Sequence, residues 1–260
     1  MDFVLNSLFD GSWPLGVFVI GTAVIHEITF VCGSLVLAAI DHFDIFPTSK
    51  IQKAKYPDGK LLRRCLKQLA FNHFVLEPLG LPFLYYIAKA SGVQMTFPLP
   101  SWSEVAGHIV ICVIVEDALF YWTHRLLHVP FLYRRIHKQH HQFYTPIGMA
   151  AEYAHPLEYL LSNSLPFFTG PFLTGCHLLT MWIWLFIRIV ESLDGHSGYD
   201  FWWVPFRYFP FRPGPALHDF HHSHNVGNYG SFFQFWDWLC GTDKVYKRYV
   251  QEMKSVSKVK

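Results

Sequence analysis

The fold class this sequence predicts is an all-α integral membrane helical bundle of about four to five spans or re-entrant segments, with a histidine-rich cap on one face. Three observations predict it. Of 260 residues, 52% are hydrophobic and 18% aromatic, but only 15% are charged, well under the roughly 25% of an ordinary soluble domain. Several apolar runs approach the roughly 20 residues that cross the bilayer hydrocarbon. The lysines and arginines gather in the segments between those runs. A net charge of +2 gives no sign of a nucleic-acid partner.

The first apolar run, 15–40, reads as a spanning helix. No basic segment precedes it and no small-residue cleavage site follows, so it is not a signal peptide. The second, 69–88, is weaker, and Pro78 and Pro82 are expected to kink it. The third, 104–122, again reads as a clean span. Residues 157–190 read as a hairpin of two short spans or a re-entrant pair, broken at Gly170 and Pro171. Between the first two runs, 49–67 contains seven basic residues and one acid, whereas 1–14 and 91–104 contain no lysine or arginine. The positive-inside rule therefore puts 49–67 in the cytosol and the N-terminus across the membrane. Counting spans onward returns the chain to the cytosol before His124 and again before His196. The chain divides into N-terminal spans with a basic loop (1–103), a histidine-bearing unit (104–246) and a basic tail (247–260). Cysteines 32, 65, 112, 176 and 240 have no paired spacing and read as small apolar packing residues.

Nine of the sixteen histidines fall in two knots, "HRLLHVPFLYRRIHKQHH" (124–141) and "HDFHHSH" (218–224). His124 and His128 are spaced i,i+4; His137, His140 and His141 are i,i+3,i+4; His218, His221 and His222 repeat that pattern. On a helix each set shares a face, so each offers two or three imidazoles to a common point. Neutral imidazole suits iron, copper, zinc and nickel, and the absence of nearby cysteines argues against a structural zinc finger. Eight imidazoles exceed the needs of one ion, which points to two metals. Solvated surface histidines are the alternative reading, weakened by three such sets beside membrane runs.

The strings HRLLH, HKQHH and HDFHH resemble those of the membrane-bound fatty acid hydroxylase and sterol desaturase superfamily. "PIGMAAEYAHPLE" (146–158), "RIVESLDGHSGYDF" (188–201) and "GNYGSFFQFWDWLCGTD" (227–243) resemble its C-4 methylsterol monooxygenase branch. The resemblance covers about residues 116–246. It implies a di-iron centre that uses O2 against an unactivated C–H bond, with His124, His128, His137, His140, His141, His196, His218, His221 and His222 as ligands and no catalytic residue beyond them. Asp117, His155, Glu191, Asp194, Asp219 and His224 are candidates for orienting those ligands, with capping or ion pairing to Arg125, Arg134 or Arg188 as the alternative for the acids. His26, His42, His73, His108 and His177 are expected in packing, capping or interfacial roles.

The implied substrate is a sterol or other membrane lipid, oxidised at a C-4 methyl group in the endoplasmic reticulum membrane. Neither a nucleotide-binding fingerprint nor a haem segment is evident, so NAD(P)H electrons are expected through a separate reductase and a cytochrome b5-type carrier. The basic stretches 49–67 and 244–260 are candidate docking surfaces for it, or simply the positive-inside signal. Aromatic stretches 181–187, 201–211 and 232–238 are expected to wall the substrate cavity or anchor at the interface, with 201–211 capping the metals. The alternatives are a sterol side-chain (25-hydroxylase-like) or fatty acid or fatty alcohol hydroxylase, and a membrane metal-binding scaffold. A scaffold would not need all three histidine strings.

Overall fold

The first apolar run folds as a 29-residue helix, α1 (Pro14–His42), and its side chains show what surrounds it. Phe18, Thr22, His26, Phe30 and Ser34, each four residues apart, form its buried stripe. Ile20, Val24, Ile28, Val31 and Leu35 are exposed on its other faces. Only 17% of its most apolar window is buried within the protein, so lipid must cover the rest. The second long helix, α4 (Trp102–Leu127), has the same character, with 28% of its window buried. A capping box starts it: Ser101 Oγ accepts from the Glu104 N–H, and Glu104 Oε2 accepts from the Ser101 N–H at 2.7 Å.

The computed structural model describes residues 8–53, 57–208 and 214–259, and among them there is no β-strand, only two isolated bridges. The chain is an all-α membrane bundle, as expected. Two helices are long and apolar enough to cross a membrane by themselves. The other apolar runs form shorter helices packed against them: α3 (Glu77–Ala90), α5 (Leu165–Thr174) and α6 (Leu178–Gly195). Their close partners are α1 against α6 and α4 against α5.

The 69–88 run begins in α2 (Gly59–Phe71), which continues through one wide, π-type turn at Asn72–Leu76 into α3. A proline at 78 removes one N–H and crowds the carbonyl four residues back, and a wider turn there relieves both.

The 157–190 hairpin turns later than expected. Gly170 and Pro171 lie inside α5, where Gly170 lets α4 approach: a Cβ there would sit 2.8 Å from Cys112 Cα. The turn is made instead by Gly175, at φ 59°, and by His177, whose Nδ1 accepts from the Leu179 N–H to start α6. Cys65, Cys112 and Cys176 are buried as packing residues, whereas Cys32 is exposed on α1.

At one end of the bundle the start of the basic loop is sewn to the chain after α6. Ile51 N–H donates to the Gly198 carbonyl, Asp200 N–H donates to the Ser49 carbonyl, and Gln52 Nε2 donates to Asp219 at 2.6 Å. The loop and both histidine knots therefore occupy one layer. The second knot forms α7 (Pro215–His224), followed by α8 (Phe235–Cys240) and α9 (Lys244–Val259).

Candidate metal centre

Nine imidazoles from four segments meet in that layer, in two groups. His124, His128, His137, His141 and His221 form one; His140, His196, His218 and His222 form the other; within each, the candidate ligand atoms lie within 4.8 Å of one another. The grouping cuts across the sequence strings. The i,i+4 pairs 124/128, 137/141 and 218/222 each stay together, while His140 and His221 cross to the opposite group. Consecutive residues on a helix point about 100° apart, so neighbours such as 140/141 and 221/222 cannot serve one point. The expectation that each string supplies a single point is thus replaced by three strings shared between two.

Local structure aims each ring. α4 ends at Leu127 with His128 as its cap. His137 closes a wide turn at Tyr133–His137, and His140 and His141 lie in a tight turn at His140–Gln142. His196 caps α6, and His218, His221 and His222 face inward from α7, which Asn225 ends in the left-handed conformation.

Hydrogen bonds then fix the tautomers. Nδ1–H of His124 donates to the Tyr229 carbonyl (2.9 Å), that of His221 to Gly227 (2.6 Å), that of His222 to Phe143 (3.1 Å) and that of His196 to Ser192 (2.8 Å). Nδ1–H of His137 donates to Glu158 Oε1 at 2.6 Å. Each such ring turns a bare Nε2 lone pair inward. His137 Nε2 lies 3.0 Å from His124 Nε2, 3.0 Å from His128 Nε2 and 2.9 Å from His141 Nε2. In the other group His196 Nε2 is 2.9 Å from His218 Nε2 and 3.3 Å from His140 Nε2. One ring nitrogen cannot donate to three others, and converging lone pairs repel unless a cation sits among them. The residues therefore fit two metal ions, one per group.

Burial also keeps these rings neutral. Desolvation, with the neighbouring His124, pushes His128 down to about 2, and desolvation pushes His196 down to about 4. His137, His140, His141, His218, His221 and His222 are all pushed well below the ordinary imidazole value by burial first and by each other second. Neutral imidazole is the form that ligates.

The orienting candidates make bonds of their own. Asp117 Oδ1 accepts the Phe233 N–H at 2.8 Å, Glu191 pairs with Arg188 at 2.7 Å, and Asp219 accepts from Gln52. The Asp194 carbonyl accepts from Ser197. His155 Nδ1 caps the short turn at Pro156–Glu158, and exposed His224 stacks on Phe220 at 4.0 Å. Neither histidine joins either group. A carboxylate that does meet one of the nine rings, Glu158, is one that sequence reading missed. It lies 21 residues from His137, and no spacing joins them.

A cavity opens beside both groups, touching His124, His137, His140, His196 and His218. Its apolar walls include Leu81, Leu84, Phe120, Phe167, Phe168 and Leu185. Among the described residues of the three aromatic stretches, Leu185 alone contributes; Trp182 and Trp184 pack in the core, while Trp202, Trp203 and Trp238 are exposed. The expected cap over the metals falls partly outside the described residues, at 209–211.

Residues 109–242 match the family model for fatty acid hydroxylase. The chain is 39% identical to methylsterol monooxygenase 2-2 of Arabidopsis thaliana over 88% of its length and 86% of the relative's. It is 37% identical to methylsterol monooxygenase 1 of Rattus norvegicus, over 92% and 81%. A very-long-chain aldehyde decarbonylase of Oryza sativa subsp. indica is 40% identical over 88% and 86%. No solved structure matches significantly. The chain belongs to the fatty acid hydroxylase family.

Proposed function

We propose that this chain is a membrane-bound di-iron monooxygenase that uses O2 to oxidise a sterol C-4 methyl group in sterol biosynthesis. The observation that carries this reading is the convergence of nine neutral imidazoles, in two groups, on the wall of an apolar cavity. His124, His128, His137, His141 and His221 would hold one iron, and His140, His196, His218 and His222 the other. When bound, the iron pair supplies activation of O2 for attack on a C–H bond.

The protein's own part is positioning. Leu81, Leu84, Phe167 and Phe168 suit a rigid, flat, apolar substrate arriving laterally from the bilayer. Glu158 holds the proton on His137 Nδ1 and so keeps that ring's Nε2 lone pair free. Arg188, bound to Glu116 and Glu191 at 2.7 Å each, ties α4 to α6 beside the cavity and keeps its wall in register. Electrons would reach the centre from NAD(P)H through a separate reductase and a cytochrome b5-type carrier, docked on the basic segments at 49–67 and 244–260. The membrane is that of the endoplasmic reticulum, with the histidine layer toward the cytosol.

A second reading has its own support: relatives of equal identity are named for very-long-chain aldehydes. One assay separates the two. Purified chain, reconstituted with iron, a reductase and a haem carrier, is given a 4-methylsterol, cholesterol, a long-chain fatty alcohol and a very-long-chain aldehyde in parallel. Oxidation at the C-4 methyl group is the expected result. Turnover of the aldehyde or of an alkyl chain alone overturns it in favour of the other class.

A further inference from the structure

A second constellation of buried ionisable groups lies on the same cavity, built from residues far apart in sequence. His26 comes from mid-α1, His73 from the wide turn before α3, Glu27 from α1 and Glu152 from the turn at Gly148–Glu152. Glu152 reaches both imidazoles: Oε1 is 3.1 Å from His26 Nε2, and Oε2 is 2.8 Å from His73 Nε2. Glu27 Oε1 faces the opposite nitrogens, 3.3 Å from His26 Nδ1 and 3.0 Å from His73 Nδ1. Side-chain exposure is 9% for His26, 4% for His73 and 10% for Glu152, so water does not balance these three, while Glu27 is 24% exposed. Ionisable residues inside a membrane bundle are costly and need a compensating partner.

We propose that His26, His73 and Glu152 form a third metal site, separate from the nine-histidine centre, for one divalent first-row transition ion. Three features converge on this. First, His73 Nε2 and Glu152 Oε2 are close yet make no hydrogen bond, and both atoms are buried without another partner. Ligands of one ion at about 2.0–2.2 Å sit about 3 Å apart without pointing at each other, which is the relation these two atoms have. Second, Glu27 stands where the orienting carboxylate of a carboxylate–histidine–metal unit stands: its Oε1 faces both Nδ1 atoms, while both Nε2 atoms face Glu152, that of His26 at hydrogen-bond distance from Oε1. Third, charge balances. Two neutral imidazoles, the carboxylates of Glu27 and Glu152 and one divalent ion sum to zero, and Glu77 lies beside them, 3.2 Å from His26 Nδ1. Two imidazoles with one carboxylate select a transition ion over magnesium or calcium, and the open positions face the cavity that His26 and Glu152 line.

The proposal stands apart from the identity of the substrate and from the number of ions in the nine-histidine centre. Its test is metal analysis of the full-length protein, purified in detergent after cobalt loading, for the wild type, His73→Gln, Glu152→Gln and Glu27→Gln. Each ligand variant should hold one equivalent less than the wild type, with the cobalt spectrum of the nine-histidine centre retained. Glu27→Gln keeps all three ligands and should weaken that one equivalent about 10- to 100-fold in a chelator titration. Unchanged metal content in the ligand variants overturns the proposal and leaves a ring closed by protons on both imidazoles. Loss of all metal from a monodisperse ligand variant overturns it too, because the ring would then be supporting the other centre. If the ligand variants do not fold, the Glu27→Gln titration decides, and unchanged affinity counts against the site.

Discussion

Two sets of buried imidazoles line one cavity, and they differ in what holds the far side of each ring. In the nine-histidine centre the Nδ1 atoms of five rings meet the backbone carbonyls of Tyr229, Gly227, Phe143 and Ser192 and the carboxylate of Glu158. In the smaller set the Nδ1 partner is Glu27, and Glu152 stands among the ligand atoms. A carbonyl fixes a tautomer without adding charge, so the larger centre is a neutral donor set that depends on cations from outside. The smaller set brings the carboxylates of Glu27 and Glu152 against its two rings, and on the proposal above one divalent ion balances them. The comparison teaches that orientation and charge are separate design variables in an imidazole site.

The largest expected effect comes from removing a ring that crosses between the two groups. His140→Ala or His221→Ala should reduce turnover by more than about 100-fold and release metal, while leaving a membrane-inserted protein, as checked by product analysis and metal content. Retained turnover in either would break the division into two ions. Next is Glu158→Gln, which removes a side-chain orienter and should lower metal affinity or activity about 10- to 100-fold; an effect no larger than that of a surface change would put Glu158 on a par with the carbonyls.

Acid should act more gradually. Burial holds His196 near 4 and His128 near 2, while exposed imidazoles in the opened chain protonate below about 6.5. Above that value both states are neutral and pH has no leverage. Below it the opened state takes up protons that the closed centre refuses, so stability and metal retention should fall as pH drops from about 6.5 toward 4. Stability that stays flat from about pH 6.5 to about pH 4 would contradict the assigned neutrality. The smallest effect belongs to His224→Ala: its ring stacks on Phe220 outside both groups, and metal content should be unchanged.

The larger centre was legible because i,i+4 spacing writes a shared face directly into sequence, and both knots fall after apolar runs that return the chain to one side. Its division was not, because spacing shows which residues share a face but not how two adjacent rings part. The smaller set was illegible for a different reason. His26, His73 and Glu152 come from a long helix, a wide turn and a loop-borne turn, and each alone reads as a packing or capping residue. The hairpin turn moved from Gly170 and Pro171 to Gly175 because the close contact with Cys112 uses Gly170 inside a helix, a demand that only the tertiary neighbour makes visible.

The crossing of His140 and His221 also sets an order of events at the ribosome. A nascent chain that has reached Gly195 contains His124, His128, His137 and His141, four of the five rings of one group, but only His140 of the other. Docking of the ten-residue helix α7 then supplies His221 to the first shell and His218 and His222 to the second. An ion captured at that stage would lack one ring of its group, and docking of α7 would complete both groups together.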